Sequence, residues 1–312
     1  MPCPGTGVKR RADDEPPIDV AGVRLTHPSR ILYPEQGIAK RDLAAYYQKT
    51  ADWMLPHVAG RPLSLVRCPE GEGGACFYQK HFAGRLPPGL SGVMIVEKRA
   101  RGIYGVVEDL AGLVALVQIG VLEIHPWGST VKRLERPDRL IFDLDPDPSL
   151  GWEDVVAAAL ELRLLLQELG LESFAKSTGG KGLHLVVPLR PLIGWERLHA
   201  AARAIARILA ERAPQRYTID AAKSARRHRL FIDYLRNGRG QTAVAPYSPR
   251  ARPGAPVATP LSWPEVEAAL PSDRFTVKTV PDRLARLARD PWRDMATLRQ
   301  SLGATLLRRL GV

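Results

Sequence analysis

The stretch that decides the fold is Ile141-Phe142-Asp143-Leu144-Asp145-Pro146, an apolar run that carries two aspartates two residues apart. Side chains at positions i and i+2 of a strand leave the same face about 7 Å apart at the backbone, so both carboxylates can converge on a divalent cation. Phe142 and Leu144 then point into a core. A strand end whose acids face water before a proline-rich turn gives the same pattern, and that alternative stays open at this point.

A second informative segment follows about thirty residues later. It reads Lys176-Ser177-Thr178-Gly179-Gly180-Lys181-Gly182-Leu183-His184-Leu185. Such a turn presents backbone N–H groups, hydroxyls and a cation to phosphate oxygens, and its glycines allow close approach. It is not a Walker A loop, because Lys181 is followed by glycine and a strand comes next. An ordinary glycine hairpin, with His184 as a core histidine, is the alternative.

A third segment, Arg229-Leu230-Phe231-Ile232-Asp233-Tyr234-Leu235, is another apolar strand interrupted by one carboxylate. If Asp233 lies beside the strand of Asp143 and Asp145, three carboxylates share one surface. Like charges at that distance raise one another's pKa, so the ionised arrangement needs bound cations, and all-oxygen ligands favour Mg²⁺ or Mn²⁺ over zinc. Together the segments fit two-metal phosphoryl transfer. An aspartate at a sheet edge, paired with arginine, is the alternative for Asp233.

The charge of the chain favours a polyanionic partner. Forty-five Lys and Arg against 33 Asp and Glu leave a formal net charge of +12, which suits nucleic acid or an anionic surface. Guanidinium groups bind phosphates in a bidentate manner. Arginines are frequent near the third segment and beyond it: Arg226, Arg227, Arg229, Arg236, Arg239, Arg250 and Arg252.

Membrane spans and secretion are not indicated. No apolar stretch approaches the roughly 20 residues of a membrane helix, and residues 1–17 lack the apolar centre of a signal peptide. These features predict a cytoplasmic protein. The three cysteines, Cys3, Cys68 and Cys76, are an odd and sparse set that predicts reduced thiols rather than a disulfide framework.

Periodicity predicts interleaved helices and strands. Residues 1–18 are expected to be a disordered leader or linker, and residues 19–312 to be the folded domain. The loop 246–260 is expected at the surface. The expected helices are 40–55, 152–169 with Gly170 as the stop, 195–212, 263–270 and 295–310, and the expected strands are 62–67, 113–125, 140–145, 183–189 and 229–235.

Four ordered motifs closely resemble the polymerase module of bacterial DNA ligase D, a member of the archaeo-eukaryotic primase superfamily that serves non-homologous end joining. The likeness extends from about Val23 to Arg299. It implies an α+β fold of mixed, largely antiparallel central sheets flanked by helices, with a primase-polymerase (RRM-like) core and the three aspartates on adjacent strands. The motifs are Phe142-Asp143-Leu144-Asp145-Pro146, Ser177-Thr178-Gly179-Gly180-Lys181-Gly182-Leu183-His184, Phe231-Ile232-Asp233-Tyr234 and Ala245-Pro246-Tyr247-Ser248-Pro249-Arg250-Ala251-Arg252.

The resemblance also implies roles for individual residues. Asp143, Asp145 and Asp233 correspond to a catalytic triad that holds two Mg²⁺ or Mn²⁺ ions. The resemblance also implies that Asp233 assists the primer 3′-hydroxyl. The residues implied for NTP or dNTP binding are His125, Ser177, Thr178, Lys181, His184, Arg250 and Arg252. Those implied for DNA are Arg30 and Lys40 at a 5′-phosphate, Phe77 and Tyr78 stacking on the template, and Arg226 and Arg236. Position 30 is arginine where some relatives have lysine.

The function implied is a metal-dependent nucleotidyltransferase that adds ribo- or deoxyribonucleotides to DNA 3′ ends and fills gaps bearing a 5′-phosphate, with a leaning toward ribonucleotides. No K-x-D-G ligase signature occurs in the chain, so it resembles an excised or standalone module. Its implied partners are DNA ends, ligase and nuclease modules of a longer parent chain, and a Ku-like end-binding protein, with no membrane. The implied place is the bacterial cytoplasm, at the nucleoid.

Three rival functions remain to be weighed. An aspartyl phosphatase also uses Asp-x-Asp after an apolar strand, but it expects Thr or Val soon after the second acid, where this chain has Pro146-Asp147-Pro148. A catalytically idle DNA-binding repair module would keep the basic groove without turnover. A primase that starts chains de novo is a nearer alternative, weakened by the lack of a cysteine-rich zinc module.

Overall fold

The structure, a computed structural model, describes residues 15–97 and 100–312. The expected leader lies mostly outside this part, and it remains a prediction for residues 1–14. Within the described part the first strand already begins at Ile18, and the Glu15 carboxylate accepts hydrogen bonds from Ser29. No helix in these residues combines the length and apolarity that a membrane span requires.

Fifteen strands and seven helices alternate along the described chain. The strands are β1 (Ile18–Val20), β2 (Val23–Leu25), β3 (Ile31–Tyr33), β4 (Ile38–Ala39), β5 (Leu63–Arg67), β6 (Phe77–Gln79), β7 (Ser91–Val96), β8 (Arg101–Val106), β9 (Val121–Pro126), β10 (Arg139–Pro146), β11 (Phe174–Ser177), β12 (Leu183–Pro188), β13 (Tyr217–Thr218), β14 (Leu230–Asp233) and β15 (Pro260–Leu261). The helices are α1 (Lys40–Val58), α2 (Leu110–Gln118), α3 (Trp152–Glu168), α4 (Trp195–Arg212), α5 (Trp263–Glu267), α6 (Val280–Arg286) and α7 (Ala304–Arg309).

A six-stranded sheet forms the centre, in the order β13-β14-β10-β12-β11-β15. Its neighbours are antiparallel except for the parallel pair β13 and β14. Leu140, Phe142 and Leu144 of β10 are fully buried in the main core, against which α3 and α4 pack. Because side chains alternate along a strand, the residues between them face the opposite side of the sheet, where the aspartates lie.

A second, five-stranded antiparallel sheet has the order β6-β5-β8-β7, with β9 also paired to β5. Strand β9 reaches the segment that follows β14, because Ala245 N donates to Ile124 O and Trp127 bridges to Thr242. The two sheets therefore meet beside the aspartate-bearing face. The expected α+β class with largely antiparallel sheets is confirmed.

Two expected elements need correction. Residues 113–118 are not strand but the end of α2, which begins after Asp109, whose carboxylate accepts from Gly112 N. This run is apolar on every side, and such a run does not distinguish a buried helix from a strand. The expected helix 295–310 is divided, because the backbone and side chain of Gln300 are used to bond Arg190, Glu172 and Pro188 instead of continuing a helix.

The loop 246–260 is mostly buried, not a surface loop. Tyr247, Ser248 and Val257 are fully buried. The loop pairs with itself, since Tyr247 N donates to Ala258 O and Arg250 N donates to Pro256 O. These bonds satisfy its backbone away from water, which is the condition for burying irregular chain.

The expectation of reduced thiols is also wrong for two cysteines: Cys68 and Cys76 form a disulfide. The register of β5 and β6 explains the pairing. Arg67 lies opposite Phe77 in this antiparallel pair, so the residues one step further out, Cys68 and Cys76, face each other with their Cα atoms 4.3 Å apart. The number of cysteines carries no information about register. Cys3 lies outside the described residues.

Candidate active site

The structure brings the three aspartates together on two neighbouring strands. Strands β10 and β14 pair so that Asp143 lies directly opposite Asp233, and Asp145 follows two residues along on the face of Asp143. Asp233 is buried and Asp143 half-buried, whereas the side chain of Asp145 is 56% exposed. Three carboxylates therefore share one surface at the end of β10.

Cationic side chains of the chain itself compensate these carboxylates. Arg236 lies 2.9 Å from Asp233 and 3.6 Å from Asp143, and Arg226 lies 2.9 Å from Asp145. Burial raises the pKa of Asp143, but the charge and hydrogen bond of His184 and the charge of Arg236 outweigh it and lower the pKa to about 2. Burial and the charge of Asp143 raise the pKa of both Asp145 and Asp233, as expected for crowded acids.

The donor set has the chemistry of a Mg²⁺ or Mn²⁺ site, since it consists of carboxylate oxygens. In the part of the chain that the structure describes, however, no three acidic, histidine or cysteine side chains are gathered around one point as metal ligands. Arg226 and Arg236 stand where positive charge is needed. The carboxylates therefore fit divalent cations in their chemistry, while in this structure the positive charge beside them comes from Arg226 and Arg236.

A pocket of about 380 Å³ opens beside the aspartates. Thr178 holds the glycine turn closed, because its N–H and hydroxyl both lie 3.1 Å from Gly182 O. Ser177 does not join the pocket: it is fully buried, and its hydroxyl is tied to Val257 O and Thr259 N. The residues expected from sequence that do line the pocket are His125, Asp143, Asp145, Thr178, Lys181, His184, Arg236, Arg250 and Arg252.

Glycine is required where this turn meets β10. A Cβ on Gly182 would lie 2.5 Å from the backbone oxygen of Leu144, a distance that side chains do not reach. Gly179 has φ +65°, a conformation that residues with a Cβ adopt only with strain. The turn can therefore come close to the aspartate strand, and this closeness places Lys181 at the pocket.

Glu123 contacts two residues that line the candidate pocket, His125 and Arg250, and the sequence did not single it out. Its carboxylate lies 3.0 Å from Arg250 Nε and 2.8 Å from His125 Nε2, and it accepts from Ala251 N at 2.9 Å. Burial alone raises its pKa, but these bonds and the charges of Arg250 and His125 lower the pKa to about 2. The available signal was strand alternation, since Glu123 and His125 share one face of β9.

Lys176 is a second missed residue. The register places Lys176, His184 and Asp143 in one row across β11, β12 and β10. Lys176 is fully buried, and its Nζ has no hydrogen-bond partner among the described residues. Burial and the charge of Arg250 lower the pKa of Lys176 to about 7, while burial and the charge of Lys176 lower the pKa of His184 to about 4. His184 is therefore neutral at pH 7.

The residues expected at DNA lie at the edge of this pocket or farther away. Lys40 is buried and its Nζ donates at 3.0 Å to Thr26 O and to Gln118 Oε1, whereas Arg30 is exposed. Burial and the charge of Arg30 lower the pKa of Lys40 to about 8, so the two cations are near each other. The two basic residues are thus present, although Lys40 Nζ already donates two hydrogen bonds inside the fold.

The aromatic pair Phe77 and Tyr78 is half exposed on β6, at 47% and 49%. The Tyr78 hydroxyl is 2.7 Å from Thr242 Oγ1, and its ring makes an edge contact with His125 at 5.9 Å between centroids. Tyr78 therefore joins the wall of the pocket to the surface, whereas the Phe77 ring lies against the guanidinium of Arg67 on the other face of β6.

Comparison with known proteins gives one consistent relationship. The model of the LigD primase-polymerase domain matches residues 39–292. The multifunctional non-homologous end joining protein LigD of Pseudomonas aeruginosa is 39% identical over 311 residues, which are 99% of this chain and 37% of that protein. The bifunctional non-homologous end joining protein LigD of Bacillus subtilis is 30% identical over 267 residues, 85% of this chain and 43% of that protein.

Among solved structures, the polymerase domain from Mycobacterium tuberculosis ligase D in complex with DNA is similar to this chain with a TM-score of 0.82 and 30% identity. The match covers 88% of this chain and 98% of that domain. The chain thus spans less than half of the two curated relatives but nearly the whole of one solved domain.

Proposed function

From the premise that this chain belongs to the LigD primase-polymerase family, we propose that it is a nucleotidyltransferase that adds ribo- or deoxyribonucleotides, with a leaning toward ribonucleotides, to DNA 3′ ends and fills gaps during end joining. The observation that carries the proposal is the pairing of Asp143 with Asp233 beside a pocket lined by Lys181, Arg250 and Arg252. Carboxylates that could hold metal ions and cations that could bind a triphosphate thus line one pocket.

Asp143, Asp145 and Asp233 would hold two Mg²⁺ or Mn²⁺ ions, whose chemistry there is to activate a hydroxyl and to neutralise charge on a triphosphate. The chain's own residues do the rest. Neutral His184, 3.3 Å from Asp143, orients that carboxylate. Asp233, whose pKa burial raises, is suited to accept the proton of the attacking 3′-hydroxyl.

The cationic wall binds the phosphates of the incoming nucleotide. Arg250 is fixed by Glu123 on one side and by the bond it donates to Thr178 O on the other, so its guanidinium is held in place before substrate arrives. A side chain that is already ordered loses less entropy on binding. Lys181 and Arg252 also line the pocket and add two more cations for the phosphates.

DNA binding is assigned to surfaces around the same pocket. Phe77 and Tyr78 stack on the template, and Arg30 and Lys40 attract a 5′-phosphate. Arg226 and Arg236 release the carboxylates when metal cations bind there and then contact DNA phosphates. The net charge of +12 supports this assignment. Because the chain covers 37% of a multifunctional relative, we place it beside ligase and nuclease modules of a longer protein and near a Ku-like protein at DNA ends.

The direct test is extension of a labelled, 5′-phosphorylated gapped duplex with each NTP or dNTP and Mg²⁺ or Mn²⁺. Asp143→Asn and Asp233→Asn should abolish extension while retaining DNA binding. Asp52→Asn is the matched control, because Asp52 is exposed on α1. Extension by Asp143→Asn at the wild-type rate would remove the assignment, and binding without any extension by the wild-type protein would favour an idle repair module.

A further inference from the structure

A second pocket of about 380 Å³ lies at the opposite end of β10 from the aspartates. It opens at Arg139, the first residue of that strand, between the end of α1 and the segment 290–299. Ile141 stands between Arg139 and Asp143 on the same face of β10, and it packs with Val186 and Trp292 in an apolar cluster. This cluster separates the second pocket from the candidate active site.

The guanidinium of Arg139 makes no direct hydrogen bond or ion pair with the described residues, although the nearby charge of Asp138 acts on it. Arg139 is only 8% exposed, and its backbone pairs with Pro188 between β10 and β12. The neighbouring carboxylate of Asp138 is occupied by Arg61, which donates two hydrogen bonds of 2.7 Å. Burial and the charge of Arg61 lower the pKa of Arg139 to about 9. Asp138 therefore compensates the Arg139 charge only in part, because that carboxylate is bound to Arg61, and the guanidinium is left open to a further anionic partner.

Two residues that line the pocket each carry a buried polar atom without a hydrogen-bond partner among the described residues. These atoms are His57 Nε2 and Arg61 Nε, and the two residues are only 6% and 5% exposed. Arg293 and Arg299 stand exposed at the rim. Four arginines therefore face two aspartates here, Asp138 and Asp290, and the first of these is already bound to Arg61.

We propose that this pocket binds a phosphate group, free or terminal on a small molecule, independently of the nucleotide pocket. Guanidinium forks match phosphate oxygens, and a neutral imidazole adds one more hydrogen bond. The space exceeds that of inorganic phosphate and accommodates a pyrophosphate or a nucleoside monophosphate. A duplex backbone does not suit it, because Arg139 lies below the surface, where a terminal phosphate can reach and a backbone phosphate cannot.

The test is calorimetric titration of the whole chain with inorganic phosphate, in a Lys181→Ala background that weakens phosphate binding at the nucleotide pocket. Arg139→Gln should weaken phosphate binding by about tenfold or more, the usual loss for one charge-assisted hydrogen bond. Arg203→Gln is the matched control, because Arg203 is exposed on α4 and its change removes the same charge. Equal affinities of the two variants would overturn the proposal.

A second variant covers the case in which Arg139→Gln does not fold. The double variant Arg293→Gln with Arg299→Gln changes only the exposed rim, and it should weaken phosphate binding several-fold while nucleotide addition stays at the wild-type rate. An unchanged affinity would overturn the proposal, as would complete loss of phosphate binding in Lys181→Ala alone.

Parallel titrations distinguish the source of the phosphate. Tighter binding of AMP or pyrophosphate than of inorganic phosphate would identify a phosphate carried by a larger molecule, and equal binding would identify free phosphate. Displacement of bound phosphate by a gapped duplex without terminal phosphates would refute a small-anion site and assign the pocket to DNA.

Discussion

Glu123→Gln tests how the nucleotide wall is held. Glu123 contacts both His125 and Arg250, the two side chains that reach the pocket from β9 and from the loop 246–260. Glutamine keeps the size of the side chain and one acceptor but removes the charge. We therefore expect a loss of stability and a higher KM for the nucleotide, with a smaller change in kcat.

The magnitude follows from the pKa of the carboxyl. The pKa falls from 4.5 in the unfolded chain to about 2 in the folded protein, and this contributes about 3 kcal/mol to stability at pH 7. The shift already contains the opposing effect of burial. Because the folded pKa is the lower one, the contribution is complete above the unfolded pKa and is lost as pH falls toward 2. About half of it should remain at pH 3.

The measurement is urea unfolding of the wild type and Glu123→Gln at several pH values between 7 and 3. The difference in free energy of unfolding should be about 3 kcal/mol at pH 7 and shrink to about half at pH 3. Glu172→Gln is the control, because it removes the same charge from a side chain that is exposed. A difference that is constant with pH, or below about 1 kcal/mol at pH 7, would refute the role given to the carboxylate.

Three other changes have defined outcomes. The pKa of Lys40 is lowered to about 8, so Lys40 loses its charge as pH rises through 8. The preference for 5′-phosphorylated gaps, measured by anisotropy, should therefore fall between pH 7 and 9 in the wild type. It should stay constant over that range in Lys40→Met. Gly182→Ala places a Cβ 2.5 Å from Leu144 O, so it should lower the free energy of unfolding, measured by thermal unfolding, by about 1–3 kcal/mol and reduce the extension rate. Unchanged values would show that the turn can move away from β10. Reduction of the disulfide between Cys68 and Cys76, eight residues apart, should lower the free energy of unfolding, measured in urea, by about 2 kcal/mol. The reductant should have no effect on a double Cys→Ala variant.

The elements that sequence predicted well are those with a strong local pattern. Helices α1, α3 and α4 begin where expected, and Gly170 ends α3 with φ +74°. The acids on β10 and β14 were identifiable because a carboxylate inside an apolar strand requires compensation. The antiparallel register then fixed their meeting, with Asp143 opposite Asp233.

What sequence did not reveal depends on partners far along the chain. Glu123 acquires its role from Arg250, more than a hundred residues away, and Lys176 from the row that joins it to His184 and Asp143. Helix α2 was misread because an apolar run has no polar face to reveal its period. The burial of the loop 246–260 depends on hydrogen bonds within the loop that its Pro and Arg content does not predict.

The two ends of β10 differ in how their charges are balanced, and this difference supports the assignment of both pockets. At Asp143 and Asp145 the carboxylates are paired with Arg236 and Arg226, so the acidic end is stable without a ligand and can exchange those arginines for cations. Arg139 makes no direct ion pair within the described chain, since the nearest carboxylate, that of Asp138, is bound to Arg61 and acts on Arg139 only through its charge. The acidic end can therefore exchange its arginines for cations, whereas the arginine-rich end can accept a negatively charged ligand, and the apolar residues around Ile141 lie between the two ends.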